Sequence, residues 1–379
     1  MLDRLTATTD FTIDVQHSLP ADWPGVGDMA GLAGHIFQTR EFLGVWASTF
    51  GADMGLDARF VTVRSADGGV VLRVPLAIET RRGLKVLTFA DQSCADINAP
   101  ILGPVVCDWT ADGVRELWAA IEAALPAIDQ VVLEKMPAMV DDRINPLFLL
   151  ADAANPESIH GSDLTRPWTE IEATQAQLKT LKRKARGLEK LGAVKFIVAS
   201  DEAERTRLVT RLLEQKQRRF EDTRVPGFAE NPTSKHFFEQ ATEVFAARGN
   251  LHLAALDVGG ELIATSWTVS LGSRIYELMI GFESGEWAKH SGGRILNLRY
   301  LEWAKAQGFT YLDHGIGDED WKHENCDTHV PLGRLRVSRT ARGRRAEARS
   351  ALIARVRATK LYQALRPWKW IVKRALGRG

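Results

Sequence analysis

The sequence predicts an α/β (α+β) protein of two similar domains followed by a basic helical tail, and three observations carry this. The order strand, helix, hairpin, strand, helix, strand occurs in both halves without a repeat of identical residues. A stretch of small and polar residues, "ADAANPESIHGSDLTRPW", interrupts the periodic pattern between them. Of the 49 Lys and Arg, 13 fall in residues 339–379 beside the single acid Glu347, which leaves 36 cations against 47 acids in the body. The expected divisions are therefore 1–165, 166–338 and 339–379, each of the first two holding a mixed, mostly antiparallel sheet flanked by helices.

In the first domain, "HIFQTREFLGVWASTFG" sets Phe37, Phe42, Val45 and Trp46 at helical spacing, with Gly51 expected as its C-cap. "DARFVTVRS" and "VVLRVPLAIE" alternate with period two around "DGG", which predicts a hairpin. "LKVLTFA", the loop "DQSCADINAP", the helical "ADGVRELWAAIEAAL" and the strand "DQVVLEKM" complete the unit. In the second domain, "TQAQLKTLKRKARGLEKLG" lines up Leu178, Leu181, Leu188 and Leu191 against Lys and Arg, a basic amphipathic helix. "AVKFIVAS", helices over 201–220 and 233–248, "LHLAALDV", a Gly259-Gly260 turn, "ELIATSWTVSL", "RIYELMIGF", a helix over 292–307 and "FTYLDHG" follow.

Composition excludes several classes. With 379 residues, 45% hydrophobic and 26% charged, the chain has ordinary globular chemistry. No apolar run reaches the roughly 18 residues of a membrane span, and the N-terminus lacks a signal-peptide pattern, so a cytoplasmic protein is expected. Cys94, Cys107 and Cys326 show neither disulfide nor zinc spacing, and no metal is expected. GxSxG, GxxxxGK[ST] and HExxH are all missing. DNA is not an expected partner.

The segments "IFQTREFLGVWASTFG", "VPLA", "LKTLKRKARGLEKLGAVKF" and "AKHSGGRILNLRYLEWAKAQGFTYLDHGIGDEDWK", in that order, resemble the GNAT acyltransferases, in particular the CelD-like or BioF-type branch related to the FemAB peptidoglycan aminoacyltransferases. The resemblance reaches to about residue 335. It implies tandem GNAT-like domains, with acetyl-CoA or another acyl-CoA held by the second. The donor's pyrophosphate would lie on "KHSGGR", Lys289, His290, Ser291, Gly292, Gly293 and Arg294, because a helix N-terminus offers free N–H groups and partial positive charge. Arg294 departs from the family's Q/R-x-x-G-x-G/A pattern, where a small residue is usual; it either supplies charge or blocks the site.

Transfer to an amine needs a proton acceptor and donors to the oxyanion. Glu277, His290, Asp313, His314, Asp318 and Asp320 stand near strand ends by the donor loop. "GDEDWK" resembles the G-D-E-x-[YW]-K signature of the FemAB-like group, which implies catalytic Lys322 and Asp318, with Asp313 and Glu277 as further catalytic candidates and Trp321, Asp320 and His314 on the substrate. A capping loop at 289–294 and an acidic turn with one salt bridge at 318–322 are the competing structural readings. The leading expectation is N-acyl transfer to an amino sugar of a cell-envelope or exopolysaccharide precursor, as in holdfast-type polysaccharide modification. The alternatives are aminoacyl transfer from tRNA through the basic helix, and a degenerate nucleotide-sensing scaffold. In the tail, Leu352, Ile353, Val356 and Leu361 on an Arg-rich helix, then Trp368, Trp370 and Ile371 beyond Pro367, suit an anionic membrane surface on the inner face. Arg342, Arg344 and Arg345 suit a cyclic dinucleotide, and a helix docked on the acidic body accounts for the same residues.

Overall fold

The computed structural model describes residues 5–6 and 11–358. Two sheets organise it. The first runs in the order β13 (Leu332–Ser338), β5 (Gln130–Pro137), β4 (Leu84–Phe89), β3 (Val70–Arg81), β2 (Asp57–Arg64), β1 (Thr12–Gln16), with the two-residue strand Ala153–Ala154 beyond β13 and Ile101–Leu102 paired to β3. The second runs β7 (Val194–Val198), β8 (Leu251–Val258), β9 (Glu261–Leu271), β10 (Arg274–Phe282), β11 (Tyr311–Ile316), β6 (Ile159–Asp163), β12 (Thr328–Val330). Both are mixed, and each contains one parallel pair. In the first it is β4 with β5, joined through α2 (Ala111–Ala123); in the second it is β10 with β11, joined through α7 (Gly292–Ala306). A parallel pair demands such a crossover helix.

The expected hairpins form, and Gly259 and Gly260 take φ of 62° and 96° at the β8–β9 turn. One helix end differs: α1 (Arg40–Trp46) continues through a wider turn at Ala47–Gly51, and the chain leaves the helical path at Gly55, φ 60°, not at Gly51. The basic helix α4 (Leu178–Leu188), which follows the short α3 (Trp168–Ala173), buries Leu181 and Leu188. Leu191 is exposed because it lies beyond the helix end.

The sheets do not part at residues 165 and 338. Strand β6, before the first expected boundary, sits in the second sheet between β11 and β12, and β13, before the second boundary, sits in the first sheet beside β5. Strand pairing in three dimensions, which local periodicity does not encode, sets these memberships.

The largest core cluster joins the halves. Phe37, Phe42, Trp46 and Phe50 of the first half interlock with Phe237, Phe245, Trp267 and Tyr276 of the second, all at most 2% exposed. Phe42 meets Phe237 at 5.2 Å edge to face, and Phe37 meets Tyr276 at 5.5 Å, geometries that favour a fixed interface. Helix α6 (Pro232–Ala247), with strands β9 and β10, carries the second half's side of this contact, and α5 (Glu202–Thr223) adds Leu208, Leu212 and Leu213 to the same cluster.

The tail's first turns rest on the first sheet. Thr340 donates to Asp129 at 2.6 Å, Arg339 pairs with Glu122 at 2.7 Å, and Gly343 in α9 (Ala341–Ala358) is buried where a Cβ would strike the Asp129 carbonyl. Leu352 is 62% exposed. The tail residues Leu361, Trp368, Trp370 and Ile371 lie outside the described residues. No described helix is long and apolar enough to cross a membrane.

Candidate active site

Strands β10 and β11 pair in parallel only through Arg274↔Tyr311, Ile275↔Leu312 and Tyr276↔Asp313. Beyond that point they separate. A bulge helps: Thr268 and Trp267 of β9 oppose Glu277 and Met279, so Leu278 is the extra residue that bends β10. One edge of β10 past Glu277 therefore faces the fork instead of a strand, so an extended ligand can pair with it.

At the root of the fork two buried side chains meet. His314 Nδ1 lies 3.2 Å from Glu277 Oε2, and His314 Nε2 lies 3.3 Å from Ser162 Oγ. The Trp321 ring stands edge-on to His314 at 5.6 Å. Asp313 is spent otherwise: Arg274 donates to it at 2.5 Å and the Gly315 N–H at 2.8 Å, so its carboxylate anchors the strand. Arg274 also lies 5.1 Å from the Tyr276 ring centre and 4.5 Å from that of Tyr311, whose hydroxyl burial pushes up to about 12.

Lys322, in the short helix α8 (Asp320–Asn325), is 4% exposed. It donates to the carbonyls of Gly315 at 3.2 Å and Ile316 at 2.7 Å and pairs with Glu319 at 3.2 Å. Two of its protons go to carbonyls, and its charge is balanced by Glu319. The lysine thus ties the "GDEDWK" segment to the end of β11. Asp318 is turned to His160, 2.8 Å away, and Asp320 is exposed in the first turn of α8.

The segment expected to hold the donor opens α7. Ser291 adopts φ 58°, ψ 47°, and no side chain caps the helix. Lys184 of α4 donates to the Ser291 hydroxyl at 2.8 Å, which places a cation at this N-terminus. Gly292 and Gly293 are buried, and a Cβ on Gly293 would lie 3.0 Å from the Phe282 ring. Lys289 is exposed; His290 Nε2 is a buried atom without a hydrogen-bond partner, and burial followed by the charge of Lys289 holds its pKa below the ordinary value. Arg294 departs from the donor-loop role: its guanidinium donates to Ala176 O at 2.6 Å and Asn325 Oδ1 at 2.9 Å. It joins α7 to the α3–α4 turn and to α8.

Two groups that sequence reading missed complete the surroundings. Asp96, in the loop after β4, reaches the fork from the first half: a Cβ on Gly315 would lie 2.6 Å from Asp96 Oδ2 and 3.4 Å from Glu277 O. Asp96 makes no hydrogen bond or ion pair among the described residues, and burial, then the charge of Asp313, lifts its pKa to about 7. Lys216 of α5 makes no hydrogen bond or ion pair among the described residues, its ammonium lies 5.6 Å from the Phe220 ring centre, and burial, then Arg219, lowers its pKa. Both line a cavity of about 220 Å³ between the halves, with Phe50, Phe237, Leu278 and Met279 among its apolar walls. The larger groove along α5, about 920 Å³, is lined by Arg207 and Arg211, which are already paired with Asp257, Glu214 and Glu283. No local motif marks Asp96 or Lys216, since each matters only through the packing of one half on the other.

Residues 175–323 match the family described as "Acetyltransferase (GNAT) domain". Among solved structures, the chain is similar to FemX at 13% identity and TM-score 0.52, over 76% of this chain and 85% of that one. It is also similar to a conserved protein of unknown function from Bacteroides thetaiotaomicron at 10% identity and TM-score 0.50, over 78% and 88%. No curated protein matches.

Proposed function

From the match of residues 175–323 to the GNAT acetyltransferase family, we propose that the chain moves an acyl group, acetyl foremost, from acyl-CoA to the amino group of a cell-envelope or exopolysaccharide precursor. The observation that carries this is the fork between β10 and β11, open toward the interface between the halves and followed by an uncapped helix N-terminus beside Lys184. The donor's pyrophosphate binds the N–H groups at Gly292 and Gly293, and its extended arm pairs with the free edge of β10. The thioester then lies near Glu277 and His314.

The acceptor enters from the 220 Å³ cavity, which is smaller than the roughly 300–1,000 Å³ of a whole small-ligand site and so takes an end group, not a polymer segment. Asp96 removes the amine proton; with a pKa about 7 it is matched to this task near neutral pH. The amine nitrogen bonds to the carbonyl carbon, the C–S bond breaks, and the CoA thiolate leaves and takes a proton from solvent. Lys216 suits an anionic group on the precursor.

Incubation with acetyl-CoA and deacetylated glucosamine oligomers, following free CoA, tests the reading. Turnover above buffer is expected; none with any amino-sugar acceptor defeats it.

Aminoacyl transfer from tRNA is the second reading, favoured by the basic face of α4 and by the fold shared with FemX. Two of that helix's cations are already engaged, Lys182 with Glu172 and Lys184 with Ser291. Salt-sensitive tRNA binding lost on neutralising Lys179, Lys182, Arg183 and Lys184 would establish it. A sensor role rested on Arg294 in the donor loop, and its engagement with Ala176 and Asn325 removes that support. For the tail we keep reversible association with anionic bilayers, tested by liposome co-sedimentation of the full chain and of a chain ending at Ser338.

A further inference from the structure

Away from the fork, on the far side of β11, two imidazoles stand by one carboxylate, and the ring of a third, His329, lies beside them. His160 lies in β6 directly opposite His329 of β12. Asp318 follows β11, and His323 lies on α8. Donor atoms of His160, Asp318 and His323 all fall within 4.8 Å of one another: His160 Nε2 is 2.8 Å and His323 Nε2 3.9 Å from the same oxygen, Asp318 Oδ1. The His160 ring centre is 4.7 Å from that of His323 and 5.1 Å from that of His329, and the last two are 6.4 Å apart.

We propose that His160, Asp318 and His323, with His329 as fourth donor, form a binding site for a divalent transition metal of the zinc type. Donors around tetrahedral zinc, bound at about 2.0–2.1 Å, stand roughly 3.3 Å apart. The separations of His160 and His323 from Asp318, 2.8 and 3.9 Å, bracket that value. The site asks for small movements of side chains that are free to make them: His323 is 53% exposed and His329 is exposed, while His160, 2% exposed, is the fixed member. Three imidazoles and one carboxylate suit Zn²⁺, Co²⁺ or Ni²⁺, whereas Mg²⁺ and Ca²⁺ require mostly oxygen donors. Sequence spacing hid the set, because its members come from four segments between residues 160 and 329.

Such a metal would pin α8 to β6 and β12. Because α8 carries Lys322 and Asn325, which hold the end of β11 and Arg294, the ion would fix the wall of the fork without touching the reacting atoms.

The test is titration of untagged, chelator-treated full-length protein with Zn²⁺ and Co²⁺, followed by calorimetry and visible absorption. One saturating equivalent and the strong visible bands of four-coordinate cobalt are expected, with Mg²⁺ not competing. His323→Ala, a change at an exposed position, should weaken binding about tenfold or more while the circular-dichroism melt stays unchanged without metal. Asp318→Asn should weaken it likewise. Absence of saturable binding, Mg²⁺ binding of equal strength, or affinity unaltered in both variants would overturn the site.

Discussion

The two halves build the same unit, a strand, a crossover helix and a parallel strand, and then treat its opening in opposite ways. In the first half the space beyond the β4–β5 pair is bridged by its own polar side chains, which leave a cavity of only about 100 Å³. Lys135, at φ 62°, donates to Asp91 at 2.8 Å and to Ala95 O at 2.7 Å, and Asn98 donates to Asp91 and to Glu134 O. The crossover helix α2 is capped by Thr110, whose hydroxyl accepts the Gly113 N–H at 3.2 Å. In the second half the corresponding helix has no side-chain cap, and a cation stands beside its start. The loop after β4 even serves both openings: Asp91 closes its own, and Asp96 faces the other. The two units thus share a topology and differ in which polar groups are already satisfied.

The comparison breaks most visibly at Asp96. Asp96→Asn should lower kcat about 100-fold or more and abolish the rise of rate with pH through about pH 7, read from CoA release across pH. The groups facing it are Asp313 and Asp91, which raise its pKa, and Lys135 and Lys322, which lower it. Its folded pKa lies above the unfolded carboxylate value, so the stability it contributes when protonated is lost as pH rises from about 4 to about 7. Relative to wild type, the variant should therefore melt higher above pH 7 than below it. An unchanged pH profile would mean that the base is elsewhere.

In the closed unit the largest effect is on stability. Lys135→Met strands the partly buried Asp91 carboxylate and should cost about 3 kcal/mol in denaturant unfolding, with the KM for acyl-CoA unaltered. At the open helix, Lys184→Ala should raise that KM about tenfold at constant kcat, the mark of lost uniform binding to the donor. The smallest effect belongs to the matching position in the first half. Thr110→Ala removes a cap and should cost about 1 kcal/mol, without changing KM. If Thr110→Ala and Lys184→Ala affected KM alike, the assignment of the donor to the second half would fall.

The elements themselves were legible because their signals are local. Period-two runs placed β2, β3, β8 and β9, the leucine spacing placed α4, and Gly259-Gly260 placed a turn. The helix that opens at Gly292 also followed from order along the chain. Other assignments needed contacts that no window contains. "GDEDWK" reads the same whether Lys322 holds a ligand or the carbonyls of Gly315 and Ile316, and only the fold of α8 onto β11 chooses the carbonyls. Arg294 is defined by Ala176 and Asn325, more than a hundred residues before it and thirty-one after it. Sheet membership of β6 and β13 depends on which edges were left to pair, and the environment of Asp96 depends on burial against another half of the chain. Periodicity and turn chemistry are properties of neighbours in sequence, so the sequence alone determined the elements and their order. Desolvation and the partner of a charge are properties of neighbours in space, and only the tertiary structure decided those.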